Sequence, residues 1–276
     1  TRLTNEFQVY PAGEFVKEGF FDGTLYEYEM LRKLNAACGI PDSTQLSMIT
    51  LDKYQRAVLP TINLAKDKIA VIYAQGDIGF QQSATSIGPE LAQTIRKARE
   101  DKNIKAIVLR VNSPGGSALT SDIIWKEVQL AAQEKPLIAS MGNVAASGGY
   151  YISCAADTIV ADPTTLTGSI GIFGLLFSGE KLIKDKLGIN SDVVKTNDHS
   201  DFGGGYPLPI PISDRPMTAY ERNVMQNYIN RGYDTFLDRV SQGRHMTKEE
   251  VNEIAQGRVW TGEDALKIGL VDVLGG

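Results

Sequence analysis

Residues 142–151 read Gly142-Asn-Val-Ala-Ala-Ser147-Gly-Gly-Tyr-Tyr151, and this stretch indicates the fold and the chemistry more strongly than any other. It directly follows an apolar run, 136–141, whose composition predicts a buried strand. A second apolar run, 106–111, leads into Asn112-Ser-Pro-Gly-Gly-Ser117. Two strands that each end in a glycine-rich turn can aim backbone N–H groups at one point, as in an oxyanion hole beside a nucleophilic serine. The pattern therefore predicts a serine hydrolase with Ser147 as the nucleophile.

Apolar runs and helical spacing alternate along the chain beyond residue 66. The runs predict strands, and apolar residues spaced three or four positions apart predict the helices between them. The predicted strands are 68–74, 105–112, 137–141, 158–161 and 192–195, and the predicted helices are 88–101, 119–134 and 147–156. Capping-box patterns at Thr218 and Thr247 predict further helices near the C-terminus. This alternation is typical of an α/β fold, in which helices cover the faces of a sheet.

Residues 1–60 lack this alternation, and a short echo links them to the C-terminal end. Lys17–Asp22 and Lys267–Asp272 both follow the form Lys-x-Gly-apolar-apolar-Asp. Such an echo fits a chain whose first residues are the end of an earlier copy of the same fold. We therefore predict two parts. Residues 1–60 are the tail of a preceding repeat with a linker, and residues 61–276 are the catalytic domain.

The composition is that of a globular protein, and it argues against several functions. Hydrophobic residues make up 42% of the chain and charged residues 22%, and the net charge of −5 gives no sign of a nucleic-acid partner. The sequence has no run of 18 apolar residues that could span a bilayer. Because His199 and His245 are its two histidines, a three-histidine metal site is excluded, and no metal or cofactor is expected. Cys38 and Cys154 do not indicate the redox compartment.

Four blocks of the sequence resemble a known family, the bacterial signal peptide peptidase A group in its long, two-repeat form, peptidase family S49. The blocks occur in the family's order: Ile107–Gly116, Ala145–Tyr150, Thr165–Gly171 and Gly257–Gly262. The resemblance extends from about Asp67 to Gly276 and implies a Clp protease/crotonase-like fold, a repeated β-β-α superhelix with C-terminal helices. It also implies a serine endopeptidase of the Ser/Lys dyad type that degrades hydrophobic peptides such as cleaved signal peptides.

The resemblance further implies partners and a location. Members of the family act as homo-oligomers, with four subunits expected, at the periplasmic face of the bacterial inner membrane. Membrane attachment is expected through a segment absent from this chain, which is itself expected to be soluble. Two other classes stay open, a crotonase-like acyl-CoA hydratase or isomerase and a non-catalytic oligomeric scaffold. The lack of a carboxylate in Ala145–Gly149 argues against the hydratase.

Glycines beside the nucleophile are the expected oxyanion donors. Gly148 would donate one backbone N–H, and Gly115 or Gly116 the other; the resemblance favours Gly115. Two further serines lie nearby and are rival nucleophiles. Ser113 precedes a proline and is interpreted as a turn former, whereas Ser117 is interpreted as the cap of the following helix.

The general base is expected to be a lysine, because His199 lies in a charged loop and His245 has a structural setting. The family uses a neutral lysine that is oriented by the serine of its Thr-Gly-Ser motif, which here is Ser169. In the segment that resembles the family's lysine motif, Ser200 stands at the lysine position, and Lys195 has no clear route to the site. We therefore expect the base to come from the preceding repeat and this chain alone to be nearly inactive.

A lysine stays neutral at neutral pH only in a dry, apolar setting. The site is therefore expected to have apolar walls, which would also suit hydrophobic peptides. The candidate lining residues are Val144, Ile170, Ile172, Phe173, Leu175 and Leu176.

Overall fold

The computed structural model describes residues 12–25, 27–41, 48–50, 53–54, 66–190, 192–195, 198–202, 212–213 and 215–276. The chain divides into two compact units, residues 1–64 and 65–276. The described part of the first unit contains helices α1 (Ala12–Lys17) and α2 (Glu27–Ala37). After α1 the chain turns back, so that the ring of Phe15 packs on those of Phe20 and Phe21 at centroid distances of 6.2 and 5.6 Å.

The second unit alternates strands and helices. Its strands are β1 (Lys68–Gln75), β2 (Asp77–Ile78), β3 (Ser86–Ile87), β4 (Ile104–Ser113), β5 (Leu137–Ala146), β6 (Thr158–Ala161), β7 (Leu166–Gly168), β8 (Phe177–Ser178), β9 (Ile212–Ser213), β10 (Val259–Thr261) and β11 (Val273–Leu274). Its helices are α3 (Glu90–Glu100), α4 (Ala118–Glu134), α5 (Gly148–Ser153), α6 (Ala219–Arg244), α7 (Lys248–Ile254) and α8 (Gly262–Lys267), with a π-helical turn at Lys181–Lys186.

The main sheet is largely parallel, with the strand order β1-β4-β5-β6-β11. The end of β5 pairs with β7, which in turn pairs antiparallel with β10. Helices α3 and α4 cover one side of the sheet. Leu109 and Val111 of β4 are fully buried there, as are Ile124 and Val128 of α4. Burying such side chains drives the helices onto the sheet. The predicted α/β class and the Clp/crotonase-like fold are confirmed.

The parallel register determines where the site can form. β4 and β5 run side by side, and Ser113 at the end of β4 pairs with Ala145 near the end of β5. The turns that follow these two strands therefore emerge at the same edge of the sheet. The chain after β4 enters α4 with Ser117 as its N-cap, since the Ser117 hydroxyl accepts a hydrogen bond from the N–H of Thr120 at 3.3 Å. This confirms the interpretation of Ser117 as a helix cap.

The long helix α6 lies against α5 near that edge. Its N-terminus carries the predicted capping box, in which the Thr218 hydroxyl and the Glu221 carboxylate accept hydrogen bonds from each other's backbone N–H. The same arrangement at Thr247 starts α7, so both capping-box predictions are confirmed. Phe236 on α6 is buried, and its ring packs on that of Tyr151 in α5 at a centroid distance of 4.6 Å.

The structure corrects three predicted elements. β5 continues through Ala146 rather than ending at residue 141, because its second half finds a partner in β7. α5 ends at Ser153, short of the predicted 156. The strand predicted at 192–195 is wrong, since these residues form no regular element; Val194 is 97% exposed, so its β propensity has no sheet to pack on. Within the described residues, no helix is both long and apolar enough to cross a bilayer.

Candidate active site

Ser147 lies at the sharp turn between β5 and α5, as the N-cap of that helix. Its backbone has φ 52° and ψ −119°, a conformation that L-residues rarely adopt and that costs about 1–3 kcal/mol. The surrounding backbone holds it there, because the N–H of Ser147 donates to the carbonyl of Gly168 and its carbonyl accepts from Tyr151, each at 2.9 Å. The Ser147 side chain makes no capping hydrogen bond. Its hydroxyl is therefore available for chemistry.

Gly115 brings the turn after β4 into contact with this serine. Its φ is +105°, and a Cβ placed on it would lie 2.6 Å from the Gly148 nitrogen and 2.8 Å from the Ser147 Cβ. Only glycine fits such an approach. The two glycine-rich turns of the sequence therefore meet at the nucleophile, as their spacing predicted.

The candidate oxyanion donors differ in how their N–H groups are occupied. Gly148 is the first residue of α5, and its N–H has no acceptor within the described part of the chain, as helix geometry dictates for a first turn. The N–H of Gly115 donates to the Ser113 hydroxyl at 3.2 Å. The N–H of Gly116 has no acceptor among the described residues. The assignment of Gly115 and Gly148 as the donors stays a prediction, and Ser113 is buried beneath them as part of the turn.

Ser169 faces the same cavity as Ser147. It follows β7, whose pairing with the end of β5 brings it alongside the nucleophile. Its φ is 48°, and its N–H donates to the carbonyl of Arg258 at 2.7 Å, which fixes the turn. A hydroxyl at this place can hold a group that approaches Ser147 from the cavity.

The cavity has a volume of about 920 Å³ and is large enough for several residues of an extended peptide. Two of the apolar residues predicted from sequence, Ile172 and Phe173, line it. Val144 and Ile170 lie outside the described lining, and Ile170 is buried in the core. The full described lining is Asp77, Pro114, Gly115, Gly116, Ser147, Ser169, Gly171, Ile172, Phe173, Gln226, Ile229, Asn230, Tyr233, Gln256 and Gly257.

Sequence reasoning missed the wall that α6 contributes. Gln226, Ile229, Asn230 and Tyr233 recur at helical spacing, and the Gln226 amide donates to the Asn230 side-chain oxygen at 2.9 Å. The spacing of these residues along one face of the helix was the available signal. A peptide backbone passing through the cavity would meet amide groups on this side.

A smaller hollow of about 70 Å³ adjoins Ser147 on the helix side. Tyr151 and Phe236 contribute aromatic rings to it, and Gly148 and Ser121 lie on its wall. Ser121 is fully buried, and its hydroxyl donates to the carbonyl of Ser117 at 2.8 Å, so it is already engaged. The hollow suits one small apolar group beside the nucleophile.

The described lining of the cavity includes no lysine or histidine of the second unit. Every lysine and histidine within residues 65–276 falls on a residue that the structure describes, and none of them lines the cavity. The Lys195 ammonium lies 2.9 Å from the Asp201 carboxylate, with which it forms an ion pair. The His199 ring lies 2.9 Å from the Glu221 carboxylate and stacks on Tyr220. Neither residue is placed to take a proton from Ser147.

Arg215 organises the charged cluster around those residues. Its guanidinium hydrogen-bonds the Asp201 and Glu221 carboxylates. These bonds are the main reason that the pKa of each carboxyl group lies well below its usual range. The cluster binds together the residues just before α6 and the start of that helix. Within the described chain, no group of three His, Cys, Asp or Glu residues could hold a metal ion.

Comparison with known proteins identifies the family. The sequence model of peptidase family S49 matches residues 129–276, more than half of the chain. The chain is 36% identical over 276 residues to the chloroplastic serine protease SPPA of Arabidopsis thaliana. The aligned region covers 97% of this chain and 40% of that protein. It is 40% identical over 265 residues to protease 4 of Haemophilus influenzae, covering 94% of this chain and 41% of that protein.

A shorter relative aligns over more of its own length. A putative protease of Methanocaldococcus jannaschii is 34% identical over 217 residues, which are 76% of this chain and 67% of that protein. By contrast, the chain spans about two fifths of the length of the Arabidopsis and Haemophilus proteins. The family and the names of these relatives agree with the serine-protease class predicted from the residues. The turn that carries Ser147 lies within the matched region, and the chain belongs to peptidase family S49.

Proposed function

We propose that this chain is the serine-bearing part of an endopeptidase that uses a Ser/Lys pair. The observation that carries the proposal is the turn at Ser147, whose hydroxyl is uncommitted and faces a peptide-sized cavity. The N–H of Gly148, which has no acceptor among the residues that the structure describes, lies next to it at the start of α5. An N–H there is aided by the helix dipole, which favours negative charge at this end.

We propose a reaction in two steps, acylation of Ser147 followed by hydrolysis of the acyl ester. A neutral lysine takes the Ser147 proton while the hydroxyl oxygen attacks the peptide carbonyl, and the negative oxygen that forms is stabilised by backbone N–H groups. The lysine then passes its proton to the departing amine, which leaves an acyl ester on Ser147. Water, deprotonated by the same lysine, hydrolyses the ester. Ser169 would accept a hydrogen bond from the lysine and hold it toward Ser147.

We propose that the lysine comes from outside this fragment. The cavity lining described for the second unit contains no lysine, and Lys195 is tied to Asp201. A lysine can serve as a base near neutral pH only if its surroundings lower its pKa, as burial in an apolar setting does. Nearly all the lysines of the second unit are exposed at the surface, where this condition fails.

The proposed substrates are apolar peptides such as the remnants of cleaved signal peptides. Ile172, Phe173 and Ile229 give the cavity apolar surface, and Phe173 is 89% exposed, so it is open to a ligand or a neighbouring subunit. Exposed apolar side chains continue through the following segment, including Leu175, Leu176 and Phe177. On the basis of the family resemblance we propose a homo-oligomer of four subunits at the periplasmic face of the inner membrane, anchored by a segment outside this chain.

The test compares Ser147→Ala with Lys195→Ala in the full-length parent protein. Hydrolysis of a fluorogenic apolar peptide should be abolished by the first change and nearly unaffected by the second. One lysine outside this fragment should be as necessary as Ser147. Circular dichroism and thermal unfolding serve as the control for folding. Near-normal turnover by Ser147→Ala would refute the nucleophile, and robust Ser147-dependent hydrolysis by the 276-residue fragment alone would refute the external base.

A serine-reactive phosphonate separates the proposed function from its alternatives. An active parent should be labelled at Ser147, as shown by mass spectrometry of its peptides. A crotonase-like hydratase or a non-catalytic scaffold would leave Ser147 unlabelled.

A further inference from the structure

Asp77 supplies negative charge to a cavity that is otherwise lined by uncharged residues. The other described lining residues are glycine, proline, serine, amide, apolar and tyrosine side chains. Asp77 is exposed, and its carboxylate has no hydrogen-bond or ion-pair partner among the residues that the structure describes. An uncompensated charge in a cleft attracts groups of the opposite charge, because the protein walls focus its field.

The backbone around Asp77 is fixed to the turn that contacts the nucleophile. The N–H of Ile78 donates to the carbonyl of Gly115 at 2.8 Å, and the N–H of Ser117 donates to the carbonyl of Ile78 at 2.7 Å. On the other side, the N–H of Gly76 donates to the carbonyl of Asn112 at 3.0 Å. Asp77 is therefore positioned by the same β4–α4 turn that approaches Ser147.

A structural role does not account for this carboxylate. Aspartate is disfavoured in strands, yet Asp77 is part of β2 and caps no helix. Asp67, just before β1, provides a contrast: it is also exposed, but it lies 3.6 Å from the Lys105 ammonium. Of these two exposed aspartates, Asp77 is the one that has no partner among the described residues, and it faces the cavity.

We infer that Asp77 selects peptides that carry a cationic nitrogen within an otherwise apolar sequence. The inference rests on the proposed function and narrows its substrate class. Apolar residues would contact Ile172, Phe173 and Ile229, while the cation pairs with Asp77. The cation can be a lysine or arginine side chain or the free α-amine of a short peptide, since all three offer N–H donors to a carboxylate.

Binding is measured first, in the full-length parent carrying Ser147→Ala, so that the result does not depend on turnover. Fluorescence anisotropy compares an N-acetylated apolar peptide containing one lysine with the same peptide containing Nε-acetyllysine. A third peptide keeps the acetyllysine but has a free N-terminus. We expect about three- to fivefold tighter binding of a cationic peptide, the range of a partly solvated ion pair. Tighter binding of the first peptide identifies the side-chain amine as the cation, and tighter binding of the third identifies the α-amine.

Asp77→Asn should remove this preference, and Asp67→Asn, the matched control, should retain it. In the protein that keeps Asp77, increasing salt should weaken the preference for the cationic peptide. Hydrolysis by the parent with Ser147 intact should show the same ratio in kcat/KM between the cationic and the acetyllysine substrate, and Asp77→Asn should bring that ratio close to one.

The outcomes separate this inference from the function on which it rests. Equal binding and equal hydrolysis of charged and neutral peptides, or a preference that survives Asp77→Asn, would overturn the role of Asp77 while the peptidase proposal stands. A parent that hydrolyses no peptide would overturn the proposed function itself. A cationic preference in binding that disappears with Asp77→Asn supports the inference in either case.

Discussion

Replacing Gly115 with alanine tests whether the contact between the two glycine-rich turns builds the catalytic site. The alanine Cβ would lie 2.6 Å from the Gly148 nitrogen, 2.8 Å from the Ser147 Cβ and 3.0 Å from the Ala146 carbonyl oxygen. The Gly148 nitrogen and the Ala146 oxygen are backbone atoms on either side of the β5–α5 turn, so no side-chain rotation can relieve the overlap. The start of the helix or the β4–α4 turn has to move.

The size of the effect follows from that displacement. To reach the 3.4 Å of an ordinary contact, the Gly148 nitrogen must retreat by about 0.8 Å. A misplacement of about 1 Å in a catalytic group typically costs about 100-fold in rate, and loss of one oxyanion donor costs about 100- to 1,000-fold. We therefore expect kcat to fall by at least about 100-fold. The positive φ of +105° adds about 1–3 kcal/mol of backbone strain, which should lower the free energy of unfolding.

The assay measures kcat for a fluorogenic apolar peptide and the urea dependence of unfolding in the full-length parent. Gly269→Ala is the matched control. Gly269 also has a positive φ, +79°, but a Cβ there meets nothing within 4 Å, and the residue does not line the cavity. The control should therefore lose stability by about 1 kcal/mol and keep its turnover. If Gly115→Ala retains turnover within threefold of the parent, or if Gly269→Ala loses as much activity, the proposed meeting of the turns at the oxyanion is wrong.

Three further predictions concern the scaffold. Thr218→Ala removes the N-cap of α6 and should reduce the free energy of unfolding by about 1 kcal/mol in urea titrations, whereas Thr218→Ser should retain most of it. Cys38 is exposed whereas Cys154 is buried, and burial raises the pKa of the Cys154 thiol to about 12. Ellman's reagent should therefore titrate one thiol in the native chain and the second only after denaturation; two fast thiols would contradict the burial of Cys154. Because Arg215 lowers the folded-state pKa of Asp201 and Glu221 below their unfolded values, these carboxylates stabilise the fold at neutral pH, and this contribution is lost as the pH falls below about 4.5. Thermal unfolding followed from pH 7 to pH 3 should show this loss, and Arg215→Gln should weaken the pH dependence in that range.

The strands and helices that frame the site could be read from the sequence because their signals are local. β1, β4 and α4 were predicted to within about one residue at each end, since apolar runs and helical stripes mark them directly. The second half of β5 was missed because its pairing with β7 connects segments some twenty residues apart. The opposite error at 192–195 has the same cause, because a Val-Val pair carries β propensity but finds no partner strand.

In the site, too, the residues with local sequence signals could be predicted, and those placed by long-range packing could not. Ser147 and the glycines beside it lie in two turns whose sequence determines their conformation, so the nucleophile could be proposed from the residues alone. The α6 wall of the cavity depends on how a helix more than seventy residues away packs over those turns, and its polar positions were not recognised as lining.

The general base was identified neither by the sequence nor by the fold of the second unit. A lysine base needs burial, whereas Lys195 is exposed and lies 2.9 Å from the Asp201 carboxylate. The turn at Ser147 presents a hydroxyl and, at Gly148, a backbone N–H with no acceptor among the described residues, whereas Lys195 pairs with Asp201 and does not line the cavity. The variants of Ser147 and Lys195 test the proposal that the base lies outside this chain.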